Sequence, residues 1–186
     1  MIGRLVLLAM FFSIVGCGQD PKSDQVTAIE EWPKEWTYEE GSCQNTETRL
    51  LVAEAADFIQ WADPEACTIA QGAWQSWGRD AVLPYSVIWV VPLVTSGQAQ
   101  ISGATDWSRE KQLEFLNDPD NLIILDTVSA KERGDHGPEQ WRPIYKFWCE
   151  YAMRWQRVKS HYGLELTAEE QTSLVEMRQA CEPDAS

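Results

Sequence analysis

The chain is poor in the groups that carry most hydrolytic chemistry. Of its 186 residues only two are histidine, His136 and His161. No two cysteines stand in a Cys-x-x-Cys spacing, which removes the usual signature of a structural zinc site. Cations are scarce as well: 15 Lys and Arg face 29 Asp and Glu, a formal net charge of −14. Nucleic-acid binding rests on Lys and Arg neutralising phosphates, so a surface of this sign works against that class of partner. The apolar run at the N-terminus is too short for a helix that spans a bilayer.

What is abundant is tryptophan. Ten Trp in a chain that is 44% hydrophobic and 24% charged allow one ordinary domain to build a substantial core. The first residues stand apart from it. Met1 to Arg4 is a short basic start, Leu5 to Phe12 is apolar, and Ile14-Val15-Gly16-Cys17 matches the lipobox of bacterial lipoproteins. Residues 1–16 are therefore read as a lipoprotein signal peptide and Cys17 as the acylated N-terminus, a durable membrane anchor. Loss of Arg4 with the leader leaves a net charge of −15. Residues 17–41 read as a lipidated tether and an aromatic-containing linker in which Trp32, Trp36 and Tyr38 pin the segment onto the domain. The domain itself is placed at residues 42–186.

Within the domain, Asn45 or Thr46 caps a helix predicted over Thr46 to Trp61, with Leu51, Ala55 and Phe58 in its apolar stripe. Arg49 near its start reads as a surface or capping residue. Trp74 and Trp77 read as core. The stretch that organises the rest runs from Leu83 to Pro143. Val87 to Leu93 and Leu122 to Asp126 are short, β-branched apolar runs, which favours buried strands, and Pro92 ends the first because it cannot donate to a ladder. Short helices follow Asp106 and Asp126. Beyond Pro143 a helix to about His161 places Trp148, Tyr151, Ala152, Trp155, Val158 and Tyr162 on one stripe, and Gly163 stops it. Thr167 and Glu170 form a capping box for the last helix.

The words of the central stretch are Val90-Val91-Pro92-Leu93, Asn117-Asp118, Asn121-Leu122, Gly134-Asp135, Pro138, Trp141 and Pro143. In that order they resemble the HNH, or ββα-metal, nucleases, and the nearest branch looks like the C-terminal domain of GmrSD-type restriction endonucleases and the small secreted proteins related to it. The resemblance runs from about Thr48 to Cys181. It implies an α+β fold: an HNH-like core of a short antiparallel hairpin and a helix, flanked by an N-terminal helix and two C-terminal helices. Asn117, Asn121 and Trp141 are its structural positions.

The chemical positions depart from that pattern. Trp89 stands where the family has its base His, Ile88 where it has the metal-binding Asp, Ala130 where it has the helix Asn, and Arg133 where it has Lys. A base must accept a proton and a metal ligand must offer a lone pair, and indole, sec-butyl and methyl groups do neither. The reading that follows is a nuclease-like fold without nuclease chemistry: a binding or structural module of the bacterial envelope, lipid-anchored and facing the periplasm in a Gram-negative host. No cofactor is expected, and nucleic acid is not the expected partner. A protein partner would meet an apolar former cleft lined by Trp89 and Ile88. The alternative is a working metal-dependent endonuclease with His136 as relocated base and Asp126, Asp135 or Asp120 as ligands of a divalent metal. His161 reads as a surface residue near a helix end.

With Cys17 acylated, Cys43, Cys67, Cys149 and Cys181 remain, an even number suited to an oxidising compartment. Three pairings are open. Sequence order and the layout that the resemblance implies favour Cys43–Cys67 and Cys149–Cys181.

Overall fold

The computed structural model describes residues 31–181. The leader, Cys17 and the start of the tether lie outside them. In chain order the elements are α1 (Thr46–Ala53), β1 (Gln60–Trp61), β2 (Ile69–Gln71), β3 (Ala73–Gln75), β4 (Val82–Pro84), β5 (Ile88–Pro92), α2 (Ser96–Ala99), α3 (Arg109–Leu116), β6 (Leu122–Asp126), α4 (Thr127–Arg133), α5 (Trp148–Tyr162) and α6 (Ala168–Arg178). The fold is α+β. Its strands form three antiparallel pairs, β1 with β2, β3 with β4, and β5 with β6.

The β5–β6 pair is central. Its register runs from Ile88 opposite Asp126 to Pro92 opposite Leu122, and α4 starts directly after β6. All five residues of β6 are buried. Side chains alternate across a strand, so β6 serves two cores at once. Ile123 and Leu125 belong to the larger one, with Leu93, Phe115, Tyr151, Trp155 and Leu174. Leu122 and Ile124 belong to the smaller, with Leu51, Trp74, Ile88 and Val90. Each such side chain contributes about 1.5–3 kcal/mol by leaving water.

The strand needs its position fixed, and Asn121 does so. Its side chain accepts from the Val94 amide at 2.8 Å and donates to the carbonyls of Phe115 (2.9 Å) and Val94 (3.2 Å). Asn117 does the same for the N-terminal segment. Its Oδ1 accepts from the Thr37 amide at 2.8 Å, and its Nδ2 donates to the Glu35 carbonyl at 3.2 Å. Trp32 is buried against Trp107 and Phe115, with both ring centroids 5.9 Å away, while Tyr38 is exposed. Trp32, not Tyr38, pins this segment.

Helix ends follow the sequence signals. Asn45, Ser108 and Asp126 cap α1, α3 and α4, and Thr167 with Glu170 closes a capping box on α6. Gly163 ends α5 in the left-handed conformation, φ 69°, which glycine adopts without a Cβ penalty. One boundary differs from expectation: α1 stops at Ala53 instead of Trp61. There the chain peels off to run beside β3. Ala55 bridges to Trp74, the Ala56 amide donates to the Ala73 carbonyl, and the Trp74 indole donates to the Leu51 carbonyl at 2.7 Å. Docking of a fully buried Trp thus takes up a helix-end carbonyl and outweighs continued helical periodicity. Phe58, assigned above to the apolar stripe, is 74% exposed.

Several charged side chains are buried at the periphery of the larger core. Lys159 is buried against Glu170 at 2.5 and 2.7 Å, and donates also to Ser102 Oγ and the Glu165 carbonyl. Burial pulls its ammonium down from its ordinary value, and Glu170 acts the other way. Arg154 spans from α5 to the carbonyls of Pro119, Asp120 and Leu122, tying the helix to the turn before β6.

Disulfides join Cys43 to Cys67 and Cys149 to Cys181. The second spans 32 residues and staples the start of α5 to the turn after α6. In the chain-entropy view a loop of that size stabilises by about 3–4 kcal/mol. Replacing Cys149 and Cys181 together with Ser should lower the unfolding free energy by that amount in urea titrations. Mass spectrometry of the untreated protein should find none of the four thiols free; four free thiols would refute the pairing.

Candidate functional site

The positions that the resemblance marks as chemical fall on β5 and α4. Alternation along β5 separates the first two. Ile88 points into the smaller core. Trp89 lies on the other face, 46% exposed, with the Lys131 ammonium 5.6 Å from its ring centre. That distance is within the range of a cation–π contact, worth about 0.5–1 kcal/mol at an exposed site. Ile88 and Trp89 therefore do not line one apolar cleft. The surface at residue 89 is an indole with an ammonium above it.

On α4, Ala130 is half-buried and packs on the larger core, and Arg133 is buried. The Arg133 guanidinium donates to the Pro92 carbonyl at 2.8 Å and to the Leu93 carbonyl, so it clamps the end of β5 to the end of α4. It also sits 5.7 Å from the Trp141 ring. The Trp141 ring also lies 6.2 Å from the Tyr151 ring.

Asp126 is engaged by donors on every side. Its carboxylate accepts from Ser129 Oγ (2.7 Å), the Ser129 amide (3.0 Å), the Val128 amide (3.2 Å) and Ser76 Oγ (3.0 Å), with Arg79 at 3.5 Å. Burial alone would raise its pKa. The bonds from Ser129 and Ser76 and the Arg79 charge outweigh that and hold the carboxyl below the usual carboxylate value. The Ser76 loop lies so close to α4 that a Cβ on Gly78 would meet Ser129 at 2.3 Å. This arrangement is a helix cap with its lone pairs committed.

The other members of the relocated set sit elsewhere. His136 is exposed, and its backbone amide donates to the Arg133 carbonyl. The Asp135 carboxylate faces Gly97, and its carbonyl accepts from Gln98 Nε2 at 2.7 Å. Asp120 pairs with Arg157 at 3.3 Å. Among the described residues, no group of three or more His, Cys, Asp or Glu could hold a metal ion. His136, Asp126 and Asp135 are therefore not gathered into one ligand set. His161 is exposed, edge-on to Tyr162, whose hydroxyl donates to Asp118 at 3.1 Å. Arg49 donates to the Gln44 carbonyl and pairs with Glu39, a local role at the start of α1.

Sequence reasoning missed Lys131, Ser76, Arg79 and Ser129. Ser129 had a signal, since Asp-x-x-Ser before a helix is cap spacing. Ser76 and Arg79 had none, because they reach Asp126 across 50 and 47 residues of chain.

No family model matches the chain, and no solved structure matches it. Among curated proteins it is similar to an uncharacterized secreted protein of Arthroderma benhamiae (strain ATCC MYA-4681 / CBS 112371). The two are 31% identical over 156 residues, 78% of this chain and 72% of that protein. The chain belongs to the family of that protein.

The Asp126 cap yields an acid-side signature. A carboxylate depressed by folding contributes stability above its unfolded pKa, and that contribution is lost as pH falls through the folded value. Wild-type stability should therefore fall with pH below the ordinary value of 3.8. In Asp126→Asn that part of the slope should flatten in urea titrations from pH 5 to 2. Asp126→Ala should cost about 2 kcal/mol at neutral pH.

Proposed function

We propose, on the premise of that kinship, that this chain is an exported module whose nuclease-like HNH fold works by binding or support rather than by cutting. The observation that carries the reading is the Trp89 indole beneath the Lys131 ammonium, at the position where the resemblance puts a base. A ring nitrogen of histidine accepts a proton there; an indole N–H only donates. Loss of a general base alone removes about 10²–10⁴-fold in rate. The antiparallel β5–β6 pair followed at once by α4 is the ββα order that such a fold needs. Asp126, the nearest carboxylate at the end of β6, serves as a helix cap.

Export is supported by the leader-like start, by two disulfides and by the printed description of the relative as secreted. Among the described residues no helix is long and apolar enough to cross a membrane. Attachment through acylated Cys17 completes the proposal, with the partner a protein that meets the Trp89–Lys131 surface.

Purified protein incubated with plasmid DNA and Mg²⁺, Mn²⁺ or Zn²⁺ should leave it uncut, bind none of these ions by calorimetry and flow through a DNA column at low salt. Metal-dependent cutting that disappears in His136→Ala would establish the endonuclease reading instead. Labelled fatty acid fed to an expressing host should enter the wild type and not Cys17→Ser; equal labelling of both would remove the anchor.

A further inference from the structure

A cleft of about 440 Å³ is lined by three short segments: Asp57 and Phe58 before β1, the turn at Gln71 and Gly72 between β2 and β3, and Pro84 and Tyr85 at the end of β4. Its volume falls within the range of small-molecule sites. Neither Trp89 nor Lys131 lines it.

One side chain holds the three segments together. Trp74 is fully buried, and its indole donates to the Leu51 carbonyl at 2.7 Å. Gly72 rests on that ring so closely that a Cβ there would meet it at 2.3 Å. Tyr85 leans on the same ring, with centroids 5.9 Å apart. The Phe58 segment is fastened at both ends, by the Ala56 amide to the Ala73 carbonyl and by Gln60 opposite Gln71. A cleft hung from a rigid core residue is formed before anything enters it, so binding loses little to ordering.

Its rings are bare. Phe58 is 74% exposed, more than any other aromatic among the described residues, and Tyr85 is 37% exposed. A phenyl group left this open adds nothing to the core, and its faces are free for a ligand. Charge then decides what fits. Asp57 carries the one charge in the lining, and among the described residues no Lys, Arg or His lines the cleft. Burial and then the Glu47 charge push the Tyr85 phenol up, so the field of a second carboxylate is felt at this ring. Around the cleft lies a chain of net charge −14.

An anion is repelled here. An organic cation is drawn twice, by the carboxylate and by the negative faces of aromatic rings. A primary ammonium must also place three N–H donors, and Asp57 Oδ1 already accepts from the Phe58 amide at 2.7 Å. A quaternary ammonium has no N–H to satisfy and presents methyl groups to the rings. We propose that this cleft binds a quaternary ammonium ion of the choline type, its cation against Phe58 and Tyr85 with Asp57 as counter-charge. The site shares no residue with the surface at Trp89, so it stands or falls apart from the functional reading above.

In proton NMR of the disulfide-bonded protein, saturation transfer to the methyl protons of choline should rise with choline concentration and level off. The alcohol in which carbon replaces the nitrogen has the same shape without the charge, and it should bind about tenfold more weakly. Phosphocholine should also bind more weakly, because its phosphate meets the Asp57 field. No transfer at millimolar choline, equal affinity for the uncharged alcohol, or tighter binding of phosphocholine each overturns the proposal. Asp57→Asn and Phe58→Leu replace exposed side chains, so both should melt as the wild type does. Phe58→Leu keeps apolar area and loses the ring, and each variant should weaken choline binding by about fivefold. Wild-type affinity in both variants overturns the site.

Discussion

A five-residue strand with no exposed side chain leaves its surroundings little choice. β6 must be covered on both faces, and each face must be apolar. The chain meets that demand with two clusters of different origin. One comes from the N-terminal half, through Leu51, Ile69 and Trp74. The other comes mostly from the C-terminal helices, through Tyr151, Trp155, Leu174 and Met177. The two cores meet at a single strand and its partner β5. Displacing β6 would open both at once, and hydrogen bonds of Asn121 at its entry and Asp126 at its exit hold it in place.

Peripheral features follow from this division. The smaller core rests on short strand pairs and a helix of eight residues, elements too small to be stable alone. A disulfide from Cys43 to Cys67 closes it. The larger core relies on α5 and α6, which cross-link through Cys149 and Cys181 at one end and through Lys159 and Glu170 within. Buried ion pairs are weak evidence of net stability, because both charges lose water. Here the Thr167 amide also donates to Glu170, and Lys159 donates to Ser102, so the pair fixes geometry between two helices and a loop.

Local signals were legible wherever a few neighbouring residues decide the outcome. The Thr167–Glu170 box, the Gly163 stop, the end of β5 at Pro92 and the two central strands all belong to that class. The end of α1 does not. Nothing between Glu54 and Trp61 forbids a helix, and what stops it is an indole arriving from residue 74. The candidate site divides in the same way. That Trp89 and Ile88 offer neither a base nor a metal ligand could be read from the residue types. That these two residues face opposite ways, or that Asp126 is enclosed by Ser76 and Arg79, depends on contacts distant in sequence.

A catalytic pocket needs unsatisfied lone pairs held ready, and that readiness costs stability. At each position in question the chain has instead a group that the fold itself uses. Ile88 fills a core, Ala130 packs from α4 onto the larger core, Arg133 grips two carbonyls and Asp126 caps a helix. Trp89 is the most exposed of these, with Lys131 above it. A large exposed indole gives nothing to the core, and its hydrophobic area is a cost to solubility that an acidic surface must offset. Its neighbours Ile88, Ala130 and Arg133 have all taken structural roles, and Trp89 is the one of the four whose side chain the core does not use.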